Sequence, residues 1–388
     1  MKLGSLAAPP ARLVGLLANE VTALRSLGVA PFREVDSTAH VVETWPLSPD
    51  VSADAPRPII GPEDWTSTPY DGPHHHHLIS IDHGYVFAKG TVLDRTGGHV
   101  LAATHKIYRN DKRRRKLERR GTSVRPYRLL PRIEYYDKEV VAITASNQHF
   151  FWHWLLDCLP RLFRLLIDMP EETMIYADQS LPFQRECLKL LGVRTDRVID
   201  ASRVPVMQAR RLTVPCHQLV DGKQLPEWIL AAFRQMAAPL ITENANRRLF
   251  ISRQDASHRR LRNKNEVVAL VERYEFECIQ SSLLPVRDQI SAFANAETII
   301  ALHGGGLANL VFCRPGTHIV ELLPRANIDA IYRIASSADL RYNYLKSYRG
   351  NSDTAWESLS DYSVDTDLLR SALEKMLHPE ENINHVNN

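Results

Sequence analysis

Three consecutive glycines between a predicted strand and a predicted helix restrict the fold more strongly than any other part of this sequence. The apolar run Thr298–His303 leads into Gly304–Gly306, and a helix-compatible apolar segment, Pro315 and a second apolar run ending in Glu321 follow. This order predicts a strand, a glycine turn, a short helix, a turn and a strand. Glycines let the backbone approach a ligand, and a helix N-terminus is partly positive, so we expect an anion such as a diphosphate here. The other interpretation is a turn that needs glycine only for close packing.

Strand-length apolar runs alternate with segments of helical periodicity from Val140 onwards, and the alternation restarts near Glu243–Asn246. Such alternation predicts βαβ units and parallel sheets. We therefore expect an α/β fold with two Rossmann-type domains facing a cleft. The predicted organisation is an extension at 1–58, a first domain at 59–245 (a small β-meander at 78–108 and a Rossmann-like part at 139–245), a second domain at 246–350, and a C-terminal segment at 351–388 whose helix packs back across the domains.

Composition is that of an ordinary soluble protein. The 388 residues carry a net charge of +3, which does not indicate a nucleic-acid partner. The basic run Arg109–Arg125 is consistent with a solvated loop or with a patch for anionic lipid headgroups. Five widely spaced cysteines favour reduced thiols over a disulfide framework or a zinc site. The N-terminus lacks the long apolar core of a signal peptide or a membrane span, so we expect a cytoplasmic protein with possible contact to the inner membrane face through Arg109–Arg125.

A polar line is predicted on one face of a helix near residue 150. His149, His153 and Asp157 repeat every four residues, and Arg161 would continue the line. Pro160 lacks an N–H group and should kink or end the first helical segment. The pattern suits a structural ion pair, or a general base with its orienting partner.

Basic residues follow the first strand of the second predicted domain. Arg253 comes at the end of this strand, and Arg259, Arg260 and Asn263 lie in the loop before the next helix. Strand ends in open α/β sheets point into the binding crevice, and guanidinium groups match phosphate oxygens. A solvated basic loop is the alternative.

In these three segments the sequence resembles glycosyltransferase family 61. The resemblance spans about residues 140–325, and the first 60 residues show none. Where the family usually has alanine in the glycine turn, Gly305 stands here. The matching residues are Asn147, His153, Trp154, Asp157, Leu159, Pro160, Arg161, Leu162, Ser252, Arg253, Arg259, Arg260, Asn263, Glu266, His303, Gly304, Gly305, Gly306, Leu307, Asn309, Phe312, Pro315, Gly316 and Glu321.

The resemblance implies an inverting glycosyltransferase with a GT-B-like fold, in which 59–245 is the acceptor side and 246–350 binds a nucleotide sugar. A UDP-sugar is the expected donor, and a polysaccharide or lipid-linked glycan, of the kind found in capsules, is the expected acceptor. No cofactor or metal is expected, because no DxD pair stands at a strand end of the second domain. The implied donor-binding residues are Arg253, Arg259, Arg260, Asn263, His303, Gly304, Gly305, Gly306, Leu307, Asn309 and Glu321.

Roles within the expected site follow from the same resemblance. The glycine turn and Arg253 would hold the diphosphate, and Glu321 would hold the ribose. Asp157 or His153 would deprotonate the acceptor hydroxyl, and we favour Asp157 because a carboxylate stays ionised at neutral pH. A nucleotide-sugar epimerase, a nucleotide-dependent dehydrogenase and a non-catalytic nucleotide- or glycan-binding protein remain alternatives. The missing GxGxxG pattern counts against the dehydrogenase.

Overall fold

The computed structural model describes most of the chain between residues 75 and 377, together with two short strands before it. The described residues are 39–46, 57–58, 75–95, 132–163, 165–166, 169–216, 225–243, 245–254, 256, 259–323, 330–346 and 361–377, with the backbone alone at 39–46, 57–58, 75–77 and 216. The chain forms two compact units, the first from residues 1–46 and 74–218 and the second from residues 47–73 and 219–388.

Fourteen strands and eight α-helices lie within the described residues. The strands are β1 (Ala39–Pro46), β2 (Arg57–Pro58), β3 (His75–Asp82), β4 (Tyr85–Phe87), β5 (Val92–Leu93), β6 (Ile133–Ala142), β7 (Met174–Ala177), β8 (Val198–Asp200), β9 (Val206–Cys216), β10 (Arg247–Ile251), β11 (Glu277–Ile279), β12 (Ala296–Leu302), β13 (His318–Leu323) and β14 (Arg341–Lys346). The helices are α1 (Phe151–His153), α2 (Pro160–Phe163), α3 (Pro182–Leu190), α4 (Glu227–Ala237), α5 (Lys264–Glu272), α6 (Val286–Ala294), α7 (Ala330–Ser337) and α8 (Thr366–Leu377). A π-helical turn occupies Trp154–Cys158, and a 3-10 helix occupies Gly305–Phe312.

The first unit has an eight-stranded mixed sheet in which β9 is bonded along both edges. On one edge β9 is parallel to β6, and the parallel strands β7 and β8 continue the sheet beyond it. On the other edge β9 is antiparallel to β3 and then to β4, while β1 flanks β3 and β5 flanks β4. The described part of the 78–108 segment therefore does not form the simple meander predicted from the sequence. His83, at a left-handed φ of 53°, interrupts one extended segment whose two pieces both bond β9; residues 96–108 lie outside the described residues.

The second unit has a six-stranded, wholly parallel sheet with the order β11-β10-β12-β13-β14-β2. Numbered along the chain from β10, its first five strands read 2-1-3-4-5, which is a doubly wound order. Its long strands are almost continuously apolar and buried, as expected where helices cover both faces. The α/β class predicted from the sequence is confirmed. That both domains are Rossmann-type and face a cleft stays a prediction.

The reversal of strand order between β10 and β12 locates the part of this sheet where ligands bind. In doubly wound sheets a crevice opens outside the carboxyl ends of the strands at that point. β10 ends at Ile251 and β12 ends at Leu302. The segments that follow these two strands are the arginine-rich loop and the glycine turn.

Helix α4 belongs to the second unit, before the predicted restart of the alternation. Its Phe233 packs edge-on against Phe312 of the 3-10 helix, with ring centroids 5.3 Å apart. The division between the units accordingly falls between Gln218 and Leu219, and the sequence placed it near Glu243–Asn246.

The C-terminal helix α8 packs against α5 of its own unit. Leu369, Ala372 and Leu373 join the core formed by α5 and the sheet. The sequence correctly predicted an amphipathic helix here, but this described contact is within the second unit. None of the helices in the described part of the chain has both the length and the apolar character that a membrane span requires.

Candidate active site

The predicted glycine turn and the predicted arginine meet at the reversal point of the second sheet. Arg253 follows β10 and Gly304 follows β12. The Arg253 guanidinium lies across Gly304 so closely that a Cβ atom on this residue would overlap it. The backbone of Gly304 is extended, with a φ of 168°, which any residue can adopt. Space, and not backbone conformation, is therefore what favours glycine at this position.

The other two glycines begin the 3-10 helix. Gly305 is exposed and Gly306 is half-buried. The first N–H groups of a helix have no partner within it, so they are available to an anion at this end. Leu307 and Asn309, predicted as donor contacts, are instead buried. Asn309 donates hydrogen bonds to Gln289 Oε1 at 3.0 Å and to the Gly306 carbonyl at 3.1 Å, so it supports the turn from inside.

Next to the glycine turn, hydrogen bonds link three side chains, those of His303, Glu321 and Tyr342. Glu321, on β13, is 0% exposed, and the His303 imidazole pairs through Nδ1 with one of its carboxylate oxygens. Tyr342 donates its hydroxyl to the other oxygen at 2.5 Å. Burial, reinforced by the Glu321 charge, raises the pKa of Tyr342 well above its usual value, so its hydroxyl remains a donor. A direct ribose contact, predicted for Glu321, would need an exposed carboxylate, and this one is enclosed.

Two further side chains surround this carboxylate. Tyr362 is buried and donates its hydroxyl to the Leu322 carbonyl at 3.1 Å. Burial and the charge of Glu321 raise the pKa of Tyr362, while Arg253 and Arg259 oppose the rise. Arg259 has a left-handed backbone, with a φ of 60°, and burial lowers its pKa. Both predicted arginines therefore lie near Tyr362, and Arg259 also interacts with the charge of Glu321.

Two other predicted donor-binding residues, Arg260 and Asn263, lie in the loop after β10. Residues of the C-terminal segment bind both of them. Arg260 forms an ion pair with Asp361 at 2.9 Å, and its backbone N–H donates to the same carboxylate. The Asn263 side chain donates to the Val364 carbonyl at 2.8 Å and accepts the Val364 N–H at 3.0 Å. Arg260 and Asn263 therefore fasten the loop in this structure. Sequence spacing could not separate them from Arg253, because their partners lie about a hundred residues away.

In the first unit, the helix predicted near residue 150 is broken. Helix α1 changes into the π-helical turn, where the Leu159 N–H donates to the Trp154 carbonyl five residues earlier. An α-helix resumes at Pro160, as the missing N–H of proline requires a break there. π-helical turns of this kind occur frequently at functional sites.

His153 and Asp157 form a pair across this turn. His153 Nδ1 lies 2.8 Å from Asp157 Oδ2, which confirms that the two side chains face the same way. Asp157 is only 2% exposed, whereas His153 is 20% exposed. A carboxylate only accepts hydrogen bonds, so Nδ1 carries the proton and Nε2 keeps a lone pair in the neutral ring. The imidazole, not the carboxylate favoured from the sequence, is the group of this pair that solvent reaches.

The other members of the predicted polar line do not join this pair. His149 precedes the helix, and its ring lies against that of Phe150 in a tilted arrangement, with ring centroids 4.1 Å apart. Buried Arg161 donates from Nε to the Asp157 carbonyl at 2.9 Å, so it satisfies the backbone at the helix break. The four-residue repeat predicted one continuous face, and the π-helical turn together with Pro160 interrupts it.

Tyr342 and Tyr362 were missed from the sequence. Tyr342 lies on β14, and Tyr362 pairs by its backbone with the donor loop, in segments that carry no glycine or arginine signal. Among the described residues, no group of three or more histidine, cysteine, aspartate or glutamate side chains is arranged to hold a metal ion. Cys158, Cys187, Cys278 and Cys313 are not in disulfide bonds. The basic run Arg109–Arg125 lies outside the described residues.

We expect Tyr342→Phe to destabilise the second unit more than Tyr362→Phe. The first change leaves a buried carboxylate oxygen without its donor, at a cost of about 1.5–3 kcal/mol; the second removes a hydrogen bond to a neutral carbonyl, about 0.5–1.5 kcal/mol. The free energies of unfolding from urea titrations test this. Equal losses would mean that the hydrogen bond from Tyr342 to Glu321 contributes no more to stability than the hydrogen bond from Tyr362 to a neutral carbonyl.

Comparison with known proteins was made against families, curated proteins and solved structures. The Glycosyltransferase 61 family model matches residues 151–320. The beta-1,2-xylosyltransferase XYXT1 of Oryza sativa subsp. japonica is 29% identical over 159 residues, which are 40% of this chain and 32% of that protein. The chain thus matches about a third of the length of this curated relative.

Among solved structures, the bacterial iron-containing dodecameric glycosyltransferase TibC from enterotoxigenic E. coli is 11% identical, covering 82% of this chain and 99% of that chain. Its TM-score of 0.29 is too low to support a conclusion about the fold. The segment matched by the family model contains the His153–Asp157 pair, Arg253 and the glycine turn. Over this segment, residues 151–320, the chain is similar to glycosyltransferase family 61.

Proposed function

We propose that this protein is an inverting glycosyltransferase of GT-B architecture. It would transfer a sugar from a nucleotide diphosphate, with a UDP-sugar as the expected donor, to a hydroxyl of a polysaccharide or lipid-linked glycan. The observation that carries the proposal is the Arg253 guanidinium lying across Gly304 at the reversal point of a doubly wound sheet. The match of residues 151–320 to the glycosyltransferase 61 family model supports the reaction class, and this geometry supports a phosphate-bearing donor.

The donor half of the reaction lies in the second unit. Arg253 and the N–H groups at the start of the 3-10 helix would meet the negative charge of the diphosphate. Arg259, which is half-buried and electrostatically coupled to Glu321, adds a second positive charge to this region. Nδ1 of the His303 ring pairs with a carboxylate oxygen of Glu321, so the other ring nitrogen, Nε2, is the one that would contact the donor. We assign Glu321 to positioning His303 in place of the ribose contact.

The acceptor half lies in the first unit. His153 Nε2 would take the proton of the acceptor hydroxyl, while Asp157 holds Nδ1 and stabilises the imidazolium that forms. The acceptor oxygen then bonds to the anomeric carbon as the bond from that carbon to the diphosphate breaks. Attack from the face opposite the leaving group inverts the configuration. The leaving diphosphate keeps the electron pair, and the cationic groups of the donor half stabilise its charge.

No metal ion is part of the proposal, because arginine side chains and helix amides supply the positive charge that a cation would otherwise provide. We expect EDTA to leave most of the transferase activity intact. Complete loss with EDTA, restored by Mn²⁺ or Mg²⁺, would contradict this assignment of roles. Addition of EDTA already saturated with Ca²⁺ controls for effects of the chelator itself.

Binding and hydrolysis of nucleotide sugars test the function directly. A panel of UDP-, GDP-, CMP- and dTDP-sugars is compared by thermal stabilisation, since a ligand at about 100 times its Kd adds about 2.7 kcal/mol. The stabilising donor is then followed for slow hydrolysis without acceptor. Stabilisation with no hydrolysis and no transfer would favour a non-catalytic binding protein. If no nucleotide sugar stabilises the chain, the donor site assigned to the second unit is wrong.

A further inference from the structure

We infer that Phe150, whose ring lies against the ring of His149, is a stacking platform for the sugar ring of the acceptor that carries the reacting hydroxyl. The inference rests on the proposed function and adds a binding residue to it. Phe150 is 56% exposed, although it is a large apolar side chain. Its ring centroid lies 4.1 Å from that of His149 and 6.3 Å from that of His153, the proposed base.

The turn that presents Phe150 is firmly built. Buried Gln148 accepts the Ala145 N–H at 2.9 Å and donates to the Ala88 carbonyl at 2.8 Å and to Asp178 Oδ2 at 3.1 Å. The Phe150 carbonyl accepts the Trp154 N–H at 3.0 Å, at the beginning of the helix that carries the base. An apolar ring on such an anchored turn is held in a defined place beside His153.

The chemistry of the groups around Phe150 favours a sugar ring as the ligand of this platform. A hydroxyl that gives its proton to His153 Nε2 lies about 3 Å from that atom, so the ring that carries it is within one sugar width of Phe150. Pyranose rings present C–H groups with partial positive charge, and the face of an aromatic ring is negative. Exposed aromatic side chains with a few polar groups beside them are the usual lining of small-ligand sites. The imidazole of His153 supplies the polar group here.

Saturation-transfer NMR tests the platform independently of activity. The probes are the methyl glycosides of xylose, glucose, galactose and mannose in the millimolar range. We expect at least one to receive saturation from the wild-type protein, and Phe150→Ala to raise its Kd about three- to tenfold. Phe150→Tyr keeps the ring and should stay within about twofold. Tyr135→Ala removes another exposed aromatic ring of the first unit, 51% exposed on β6, and should change nothing.

Hydrolysis of the donor separates the failure of this inference from the failure of the proposed function. If wild type hydrolyses the donor but binds none of the glycosides, or binds them equally well after Phe150→Ala, the platform is refuted and the transferase proposal stands. If wild type neither hydrolyses nor transfers the donor sugar while Phe150 still determines glycoside binding, the transferase proposal fails and Phe150 is a sugar-binding residue of a non-catalytic protein.

Discussion

Replacement of His153 by glutamine is expected to lower kcat by about 10² to 10⁴, because it removes the group that accepts the proton. Asp157→Asn should lower kcat at least about a hundredfold, because a neutral amide neither fixes the Nδ1–H tautomer nor stabilises the imidazolium. The 2.8 Å contact between the two side chains and the burial of Asp157 are the structural basis of both expected losses of kcat. Steady-state kinetics with the donor found by thermal stabilisation measure both effects.

The control for these variants is Asp196→Asn, an exposed aspartate of the same unit that pairs with Arg194. It should retain wild-type kcat. Donor affinity should be unchanged in all three proteins, since the donor half lies in the second unit. A large loss in Asp157→Asn with near-normal activity in His153→Gln would make Asp157 the base, as favoured from the sequence. Full activity in both folded variants would mean that the pair is structural.

Gly304→Ala is expected to weaken donor binding about 10- to 150-fold with little loss of stability. The new Cβ would occupy the place of the Arg253 guanidinium, the far end of a flexible side chain, which can move away. The donor then loses a charge-assisted contact worth about 1.5–3 kcal/mol. Calorimetric titration with the donor measures the loss, and urea unfolding shows whether the fold is intact.

Gly306→Ala is the matched control for this change. A Cβ there would lie at ordinary contact distance, 3.7 Å from Ser281 Oγ, so donor affinity should stay near wild type. Arg253→Ala should weaken donor binding as much as Gly304→Ala. The double variant should lose no more donor affinity than either single variant, because both changes remove the same contact between Arg253 and the donor. Additive losses would show that Gly304 contributes to binding by a route other than Arg253.

Much of the second unit could be predicted from local sequence. The strands around Leu249, Ile300 and Val320, and helix α6, lie where apolar runs and helical periodicity put them. These patterns are reliable because a buried parallel strand needs a continuous apolar run, and a covering helix needs one apolar face. By contrast, β14, which pairs with β13, was not predicted, because its Arg341–Lys346 stretch lacks the continuous apolar run of the other strands.

The glycine turn, the arginine after β10 and the spacing of His153 and Asp157 were determined by the sequence itself. Each of them is a requirement of neighbouring residues, set by turn geometry, a strand end or a helix repeat. The tertiary structure decided which of these groups are accessible. Strand order brought Arg253 over Gly304 and enclosed Glu321 behind His303 and Tyr342. Packing around the π-helical turn left His153 partly exposed while it buried Asp157. Accessibility depends on contacts between residues far apart in the chain, and local spacing carries no record of them.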